Sequence, residues 1–404
     1  RLPIVAGTSF TFVPILINIG LKAGGGEDAY YTIMASIIVG GLVSSFLALF
    51  YKYWGKIIKP IVPAIVVLAV GLSLLSSGAN QFLGGTAIIS NVILTGETGT
   101  GVSYYLYIIV AFVTIIVTIT WGLIFKGFLK NINIIVGIIV GYLVALAIPG
   151  MIDFSSLKID IGNLVGPSGI FAFPQFLDFS KLKFDVSSCV LTSVVFIVSM
   201  VEVIGGTTAS SEVGLNRMPT SREFGGAIFT NSLLSTFGAL FGTLPLTTYA
   251  QNTGIVAQSK VINRFTIFIG GLLLVIISFF PPIANFFYTI PDAVIGGTMV
   301  ILFGSIVVVG IKSVGEAGFS DKNVLILTIS LSLGFGLSIA TIAVGSDTYQ
   351  TIGLFKTLGV SWLSDLLSSS VFNMFIVSLI LSWALPDNMY IKFIHHKNNK
   401  NDNE

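Results

Sequence analysis

Long apolar runs recur along the whole chain, and they constrain the fold more than any other feature. An apolar stretch of about 20 residues crosses a bilayer as a helix, because each helical residue rises about 1.5 Å. Only 9% of the residues are charged, whereas a soluble domain carries about 25%. Most of the surface is therefore expected to face lipid, and we predict an all-α polytopic membrane protein.

About twelve candidate spanning segments are separated by polar, glycine-rich or charged connections. They cover approximately residues 8–21, 31–51, 60–77, 103–125, 132–149, 187–206, 224–242, 252–262, 264–281, 293–311, 323–343 and 367–386. Every second connection is basic, whereas 78–102 and 282–292 contain no Lys or Arg. Because basic connections stay on the cytoplasmic side, we predict a cell-membrane protein whose C-terminal tail is cytoplasmic.

A polar stretch, TLPLTTYAQNTGIVAQSK (Thr243–Lys260), interrupts this pattern. In a bilayer an unpaired backbone group costs several kcal/mol, so a non-helical backbone persists only inside protein or beside a cavity. Pro245 resists helix formation, and the following Thr247 and Thr248 favour extended structure. We therefore predict a short extended segment that pairs with a similar one near Ala6–Phe10. A half-helix over 252–262 would follow, with its N–H groups facing a central cavity.

The chain also contains a weak internal echo. LPIVAGTSFTF begins at Leu2, LPLTTYAQNTG begins at Leu244, and each is followed about fifty residues later by a Pro-led apolar helix. Internal symmetry with interrupted segments is typical of transporters that bind substrate at mid-membrane. Coincidence between Gly- and Thr-rich segments is the alternative.

Glu202 is the only acidic residue deep inside a predicted span. An ionisable group there costs at least about 2.5 kcal/mol, which favours a functional role over a structural hydrogen bond. Its carboxylate can accept two N–H bonds, and the amide of Gln251 both donates and accepts. Together with peptide units near Phe10 and Ala250, these groups suit the edge of a flat heterocycle.

Four of the residues in this region have a second interpretation as structural residues, either as helix caps or as core. Asn252 is expected to cap the half-helix, and Gln251 is the favoured ligand contact. The rings of Phe10 and Tyr249 are candidates for stacking on a ligand, with ordinary core packing as the alternative.

At these residues the chain resembles the nucleobase–ascorbate transporter family, also called nucleobase:cation symporter-2. The family signature appears as Gln251-Asn252-Thr253-Gly254, then Ser259-Lys260 and Asn263-Arg264. Ser259 replaces a Thr and Asn263 replaces a Ser. The resemblance extends to GTSF, LPLTTYAQN and the segment around Glu202.

The resemblance implies an inverted-repeat 7+7 transmembrane fold, with about twelve of fourteen segments present and two segments expected before Arg1. Two short extended segments and their half-helices lie at mid-membrane in this fold. The implied divisions are a core domain (1–51 and 187–283), a gate domain (52–150 and 284–387), an external or interfacial loop (151–186) and a cytoplasmic tail (388–404).

The resemblance also implies a substrate. Members with Gln at the first signature position look like carriers of xanthine or urate, which assigns substrate contacts to Glu202 and Gln251 and to the backbone at Phe10 and Ala250. Ser9 lies where purine carriers have Asn, Ser or Thr. The full set of expected substrate-binding residues is Glu202, Gln251, Phe10, Ala250, Ser9, Asn252 and Tyr249.

Coupling is expected to involve Glu202 and Asn231. Many proton-coupled members carry Asp where this chain has Gly206 and Asn231. We predict a xanthine or uric acid symporter with alternating access, driven by protons. A uracil or other nucleobase permease, a sodium-coupled carrier and a passive carrier are the alternatives.

The expected partners are a purine nucleobase, a proton or sodium ion and the lipid bilayer, and a homodimer is also considered. No enzyme activity, cofactor, metal or nucleic acid is expected.

Overall fold

Most of the described chain is helical, as predicted. The computed structural model describes residues 4–55, 58–154, 166, 169–249, 263–336, 341–343, 349–351, 367 and 369–386. Within these residues, five helices are long and apolar enough to cross a membrane, or six if one bent pair forms a single span. Exposed apolar side chains such as Leu123 and Leu274 suit a surface that faces lipid.

The helices and the strands of the described residues are numbered separately, each in chain order. The helices are α1 (Val13–Lys22), α2 (Gly26–Leu49), α3 (Tyr51–Trp54), α4 (Ile61–Phe82), α5 (Thr86–Thr95), α6 (Tyr104–Ile124), α7 (Phe128–Asn131), α8 (Asn133–Leu146), α9 (Val186–Leu215), α10 (Ser221–Ala239), α11 (Arg264–Ser278), α12 (Pro281–Tyr288), α13 (Asp292–Ala317), α14 (Asp321–Ile329) and α15 (Ser370–Ala384). The strands are β1 (Ala6–Thr8), β2 (Leu246–Thr248), β3 (Thr341–Ala343) and β4 (Tyr349–Thr351). Single 3-10 turns span Phe10–Phe12 and Phe179–Lys181, and a π-helix spans Ser330–Gly336.

One group of helices packs around the pair α4 and α13. Glycines bring these two backbones close together: a Cβ atom on Gly310 would lie 2.5 Å from the Cα of Leu68, and one on Gly71 would lie 2.7 Å from the N of Val307. Helices α6 and α8 pack on one part of this pair, and α15 packs on α4 and on the π-helix.

A second group contains α2, α9 and α10, and short polar side chains join its members. The hydroxyls of Ser44 and Ser232 lie 2.6 Å apart, and Thr192 Oγ1 donates to Ser36 Oγ at 3.0 Å. Helix α9 also contacts α4 and therefore links the two groups.

The predicted pairing of two extended segments is confirmed. Strands β1 and β2 are antiparallel, with Ala6 opposite Thr248 and Thr8 opposite Leu246. The backbone N–H of Ser9 extends the ladder by donating to the carbonyl of Pro245 at 2.8 Å. The backbone N–H and C=O groups of each segment are thus partly hydrogen-bonded by the other segment. Such pairing lowers the free-energy cost of extended backbone in a membrane protein.

Some predicted elements are wrong in detail. A single span is predicted over 323–343, but α14 changes into the π-helix at Ser330, and the separate strand β3 begins at Thr341. Strand β3 pairs with β4 in a second small sheet that the sequence reasoning missed. The connections 78–102 and 282–292 contain helices α5 and α12, and α12 bends by 85° from α11.

The aromatic segment 171–184 crosses the ends of several helices. Phe171 stacks on Phe279 after α11, with ring centroids 5.4 Å apart. Lys181 Nζ lies 2.7 Å from the Glu27 carboxylate at the start of α2. The segment therefore joins elements from both halves of the chain, and its external position stays a prediction.

Helix α9 begins at a side-chain cap. The Asp185 carboxylate accepts bonds from the hydroxyl of Ser188 at 2.6 Å and from its backbone N–H at 2.9 Å. These bonds hold the pKa of Asp185 below its ordinary value. The cap is therefore ionised at neutral pH, where it complements the positive end of the helix.

Replacing Lys322 with Met is expected to lower the free energy of unfolding by about 1.5–3 kcal/mol, the usual contribution of a hydrogen bond to a charged group. Lys322 is only 6% exposed at the start of α14, and its Nζ donates to the carbonyl of Leu385 after α15. Met keeps the apolar stem and removes the donor. Thermal unfolding of the purified protein in detergent measures the change. Lys312→Met, at an exposed position on α13, is the control, and an equal loss in both variants would contradict the prediction.

Candidate functional site

Glu202 lies on α9, where this helix contacts the strand pair. The hydroxyl of Thr11 donates to Glu202 Oε2 at 2.9 Å, and Thr247 of β2 lies beside the same carboxylate. Glu202 is partly buried, whereas Thr11 and Thr247 are buried. Hydroxyl groups from two distant parts of the chain therefore surround the one carboxylate that the sequence places deep in a span.

The 3-10 turn Phe10–Phe12 is fixed by two aromatic contacts. The Phe10 ring meets Phe303 of α13 edge-on at 5.3 Å, and the Phe12 ring meets Phe196 of α9 at 4.7 Å. Phe10 therefore has a packing role, and its stacking on a ligand stays a prediction. The side chain of Ser9 is 1% exposed, and its hydroxyl has no hydrogen-bond partner among the described residues.

Tyr249 closes over the first strand. Its N–H donates to the carbonyl of Val5 at 3.1 Å, and its hydroxyl donates to the carbonyl of Thr8 at 2.9 Å. The ring occupies the place of a side chain at Gly7, because a Cβ there would lie 2.6 Å from Tyr249 Cζ. Tyr249 thus stabilises the strand pair, and its role in substrate binding stays a prediction.

Asn231 attaches strand β2 to α10. Its Nδ2 donates to the carbonyl of Leu246 at 2.8 Å, and the N–H of Leu246 donates to Ser235 Oγ at 2.9 Å. Gly206 of α9 leaves room for the Thr248 hydroxyl, which a Cβ at that position would strike. Within the described residues, the hydroxyl of Thr248 and the Oδ1 of Asn231 are buried without a hydrogen-bond partner.

Replacing Asn231 with Ala is expected to lower the free energy of unfolding by about 1–3 kcal/mol, because the partly buried carbonyl of Leu246 loses its donor. Chemical or thermal unfolding in detergent measures the loss. Thr230→Ala, an exposed change on the same helix, should stay within about 0.5 kcal/mol of the unmodified protein. Equal stability of the Asn231 and Thr230 variants would show that the amide does not hold β2.

Three predicted site residues, Gln251, Ala250 and Asn252, lie outside the described residues. The structure brings the others together around the strand pair: Glu202, Ser9, Phe10, Tyr249 and Asn231. Sequence reasoning missed Thr11, although a second hydroxyl residue two positions after Ser9, just before an apolar helix, was a visible signal. Among the described residues, no group of three or more His, Cys, Asp or Glu side chains is placed to hold a metal ion.

Comparisons with known proteins give consistent results. Residues 1–345 match the Permease family model Xan_ur_permease. The chain is 32% identical to Xanthine permease XanQ of Escherichia coli (strain K12) over 345 residues, which cover 83% of this chain and 69% of that protein. It is 31% identical to Uric acid permease PucK of Bacillus subtilis (strain 168) over 341 residues, which cover 83% and 72%.

Two of the solved structures that match the chain illustrate its fold. The transmembrane domain of a cyanobacterium bicarbonate transporter, BicA, aligns with a TM-score of 0.54 at 14% identity, covering 95% of this chain and 84% of that one. The structure of SLC26A9 aligns with the same TM-score and identity over 88% of this chain and 62% of that one. At this identity the likeness concerns the fold alone.

Proposed function

We propose that this chain, which belongs to the Permease family, imports a purine nucleobase, xanthine or uric acid. Membership of this family makes it a multi-pass membrane transporter and not an enzyme. Relatives with the names xanthine permease and uric acid permease support this substrate class. The predicted purine preference of Gln251 at the first signature position agrees with it.

The observation that carries the proposal is the setting of Glu202. A carboxylate within a mostly apolar span is energetically costly. Such residues usually mark a site that binds a polar substrate or a proton. Thr11 uses one acceptor site on Oε2, whereas an ionised carboxylate offers about four. The remaining sites suit adjacent N–H groups on the edge of an oxidised purine.

The proposed site combines Glu202 with Gln251, Ser9 and the backbone at Phe10 and Ala250. The half-helix predicted over 252–262, with Asn252 as its predicted cap, would point its N–H groups at the substrate. Such a site reads an edge that alternates donors and acceptors, and Tyr249 would border the ring.

Transport would proceed by alternating access, with the gate domain moving against the core domain. The two packed helix groups, around α4 and α13 and around α2, α9 and α10, support this division. Strands β1 and β2 lie within the two segments that echo each other in sequence, LPIVAGTSFTF and LPLTTYAQNTG, and their antiparallel pairing supports the inverted repeat. We also propose that the C-terminal tail, residues 388–404, is cytoplasmic and that the protein forms a homodimer.

Proton symport is the proposed coupling, with Glu202 as the proton carrier and Asn231 as a second coupling residue. A membrane potential of 100 mV supplies about 2.3 kcal/mol per charge, enough for roughly 50-fold accumulation. Sodium coupling is the second candidate, because Asn231 Oδ1 and the Thr248 hydroxyl are buried oxygens without partners in the described part of the chain.

Uptake of labelled xanthine and uric acid by proteoliposomes tests the proposal. Imposed proton and sodium gradients, applied separately, identify the coupling ion, and a competition panel of purines and pyrimidines identifies the substrate. Preloaded substrate should accelerate uptake, which a simple channel would not show. Absence of uptake and competition for every purine would refute the proposed function.

A further inference from the structure

The hydroxyl of Thr11 donates a hydrogen bond directly to the Glu202 side chain. This hydroxyl lies 2.9 Å from Oε2, and the two residues are 191 positions apart in sequence. Thr11 is 4% exposed, so water has little access to compete for the bond. A hydrogen bond to a charged acceptor in such a setting is among the stronger ones in proteins.

The position of the Thr11 hydroxyl is fixed from both sides. The preceding Phe10 packs against α13, and the following Phe12 packs against α9. On the N-terminal side, the bond from the Ser9 N–H to Pro245 ties the turn to the second extended segment. The turn therefore presents a donor whose location does not depend on a flexible loop.

A carboxylate on a helix rotates about its terminal torsion, which has a broad energy minimum. A donor that occupies Oε2 restricts this rotation and fixes which lone pairs face away from Thr11. Because a ligand must otherwise supply the free energy for this ordering, preorganisation increases affinity.

We propose that Thr11 is a positioning residue that orients the Glu202 carboxylate for the substrate, an inference that rests on the proposed function. In this role Thr11 acts through Glu202. The competing explanation is structural: the bond ties the 3-10 turn to α9 and affects stability alone.

The test compares Thr11→Val, which keeps the shape and removes the donor, with Thr11→Ser, which keeps the hydroxyl. Binding of labelled xanthine and uric acid to the purified protein is measured beside thermal unfolding without ligand. The Val variant is expected to lose about tenfold or more in affinity. The Ser variant should restore binding to within about threefold of the unmodified protein.

A purely structural role predicts that Thr11→Val lowers the unfolding temperature while the folded fraction binds as the unmodified protein does, and that result would overturn the inference. Equal loss in the Ser and Val variants would overturn it as well. If Thr11→Val yields no folded protein, Thr11→Cys replaces it, because its thiol is a much weaker donor, and an affinity equal to that of the Ser variant refutes the inference. Failure of the unmodified protein to bind either purine would refute the proposed function, and this inference with it.

Discussion

Glu202→Gln is expected to reduce concentrative uptake of xanthine or uric acid to background. The amide has one acceptor oxygen in place of two, and it does not bind or release a proton as a carboxylate does. Loss of hydrogen bonds to a charged acceptor lowers substrate affinity by about tenfold to a hundredfold. Loss of the proposed proton carrier removes accumulation altogether. Proteoliposomes with an inward proton gradient and labelled substrate measure both effects.

Glu212→Gln provides the matched control, because Glu212 is exposed near the C-terminal end of the same helix. This variant should transport like the unmodified protein. Exchange of labelled for unlabelled substrate, without any gradient, separates binding from coupling. Uptake by Glu202→Gln at the level of the Glu212 control would refute the proposed role of Glu202.

Gly310→Ala is expected to lower the free energy of unfolding by at least about 1–3 kcal/mol, the usual effect of overpacking. The added Cβ would lie 2.5 Å from the Cα of Leu68, and 2.6 Å from its N, on the facing helix α4. Neither backbone atom can move aside without separating the two helices, so the whole α4–α13 contact must shift. Thermal or denaturant unfolding in a fixed detergent measures the change.

Gly304→Ala is the control for this prediction. Gly304 lies on the same helix, but a Cβ there meets nothing within 4 Å. Ala has the higher helix propensity by about 1 kcal/mol, so this variant should be as stable as the unmodified protein or slightly more stable. Similar destabilisation by both variants would show that the close approach of α4 and α13 is not what constrains Gly310.

The strand pair could be predicted from sequence because the physics of the bilayer leaves few alternatives. Pro245 and the β-branched Thr247–Thr248 disfavour a helix, and an extended segment among apolar spans must find a backbone partner. The similar Ala6–Phe10 segment was the available partner, and it is the observed one.

Other features leave no comparable signal. The run 323–343 is mostly apolar, so hydropathy gives no sign of a π-helix at Ser330 or of strand β3. Helix α5 was missed because its residues 86–95 include Thr, Ser and Asn, which also occur in loops. In each case neighbouring elements, not local composition, decide the backbone conformation.

The site was predicted only in part, for a similar reason. A buried carboxylate is visible in sequence because such residues are rare in spans, and this singled out Glu202. A hydroxyl is common there, so Thr11 did not stand out until its bond to Glu202 was seen. Asn231, predicted as a coupling residue, has a bond to the strand carbonyl that spacing alone could not reveal.

The strand pair also limits when the site around Glu202 can form during synthesis. Thr8 and Tyr249, which it joins, are 241 residues apart in sequence. During synthesis, strand β1 stays without its partner until strand β2 has been made, by which time helices α1 to α10 have been synthesised. Such long-range closure is slow, and an unpaired strand in a membrane is unfavourable. The site around Glu202 can therefore form only after α1 to α10, which precede β2, have been synthesised.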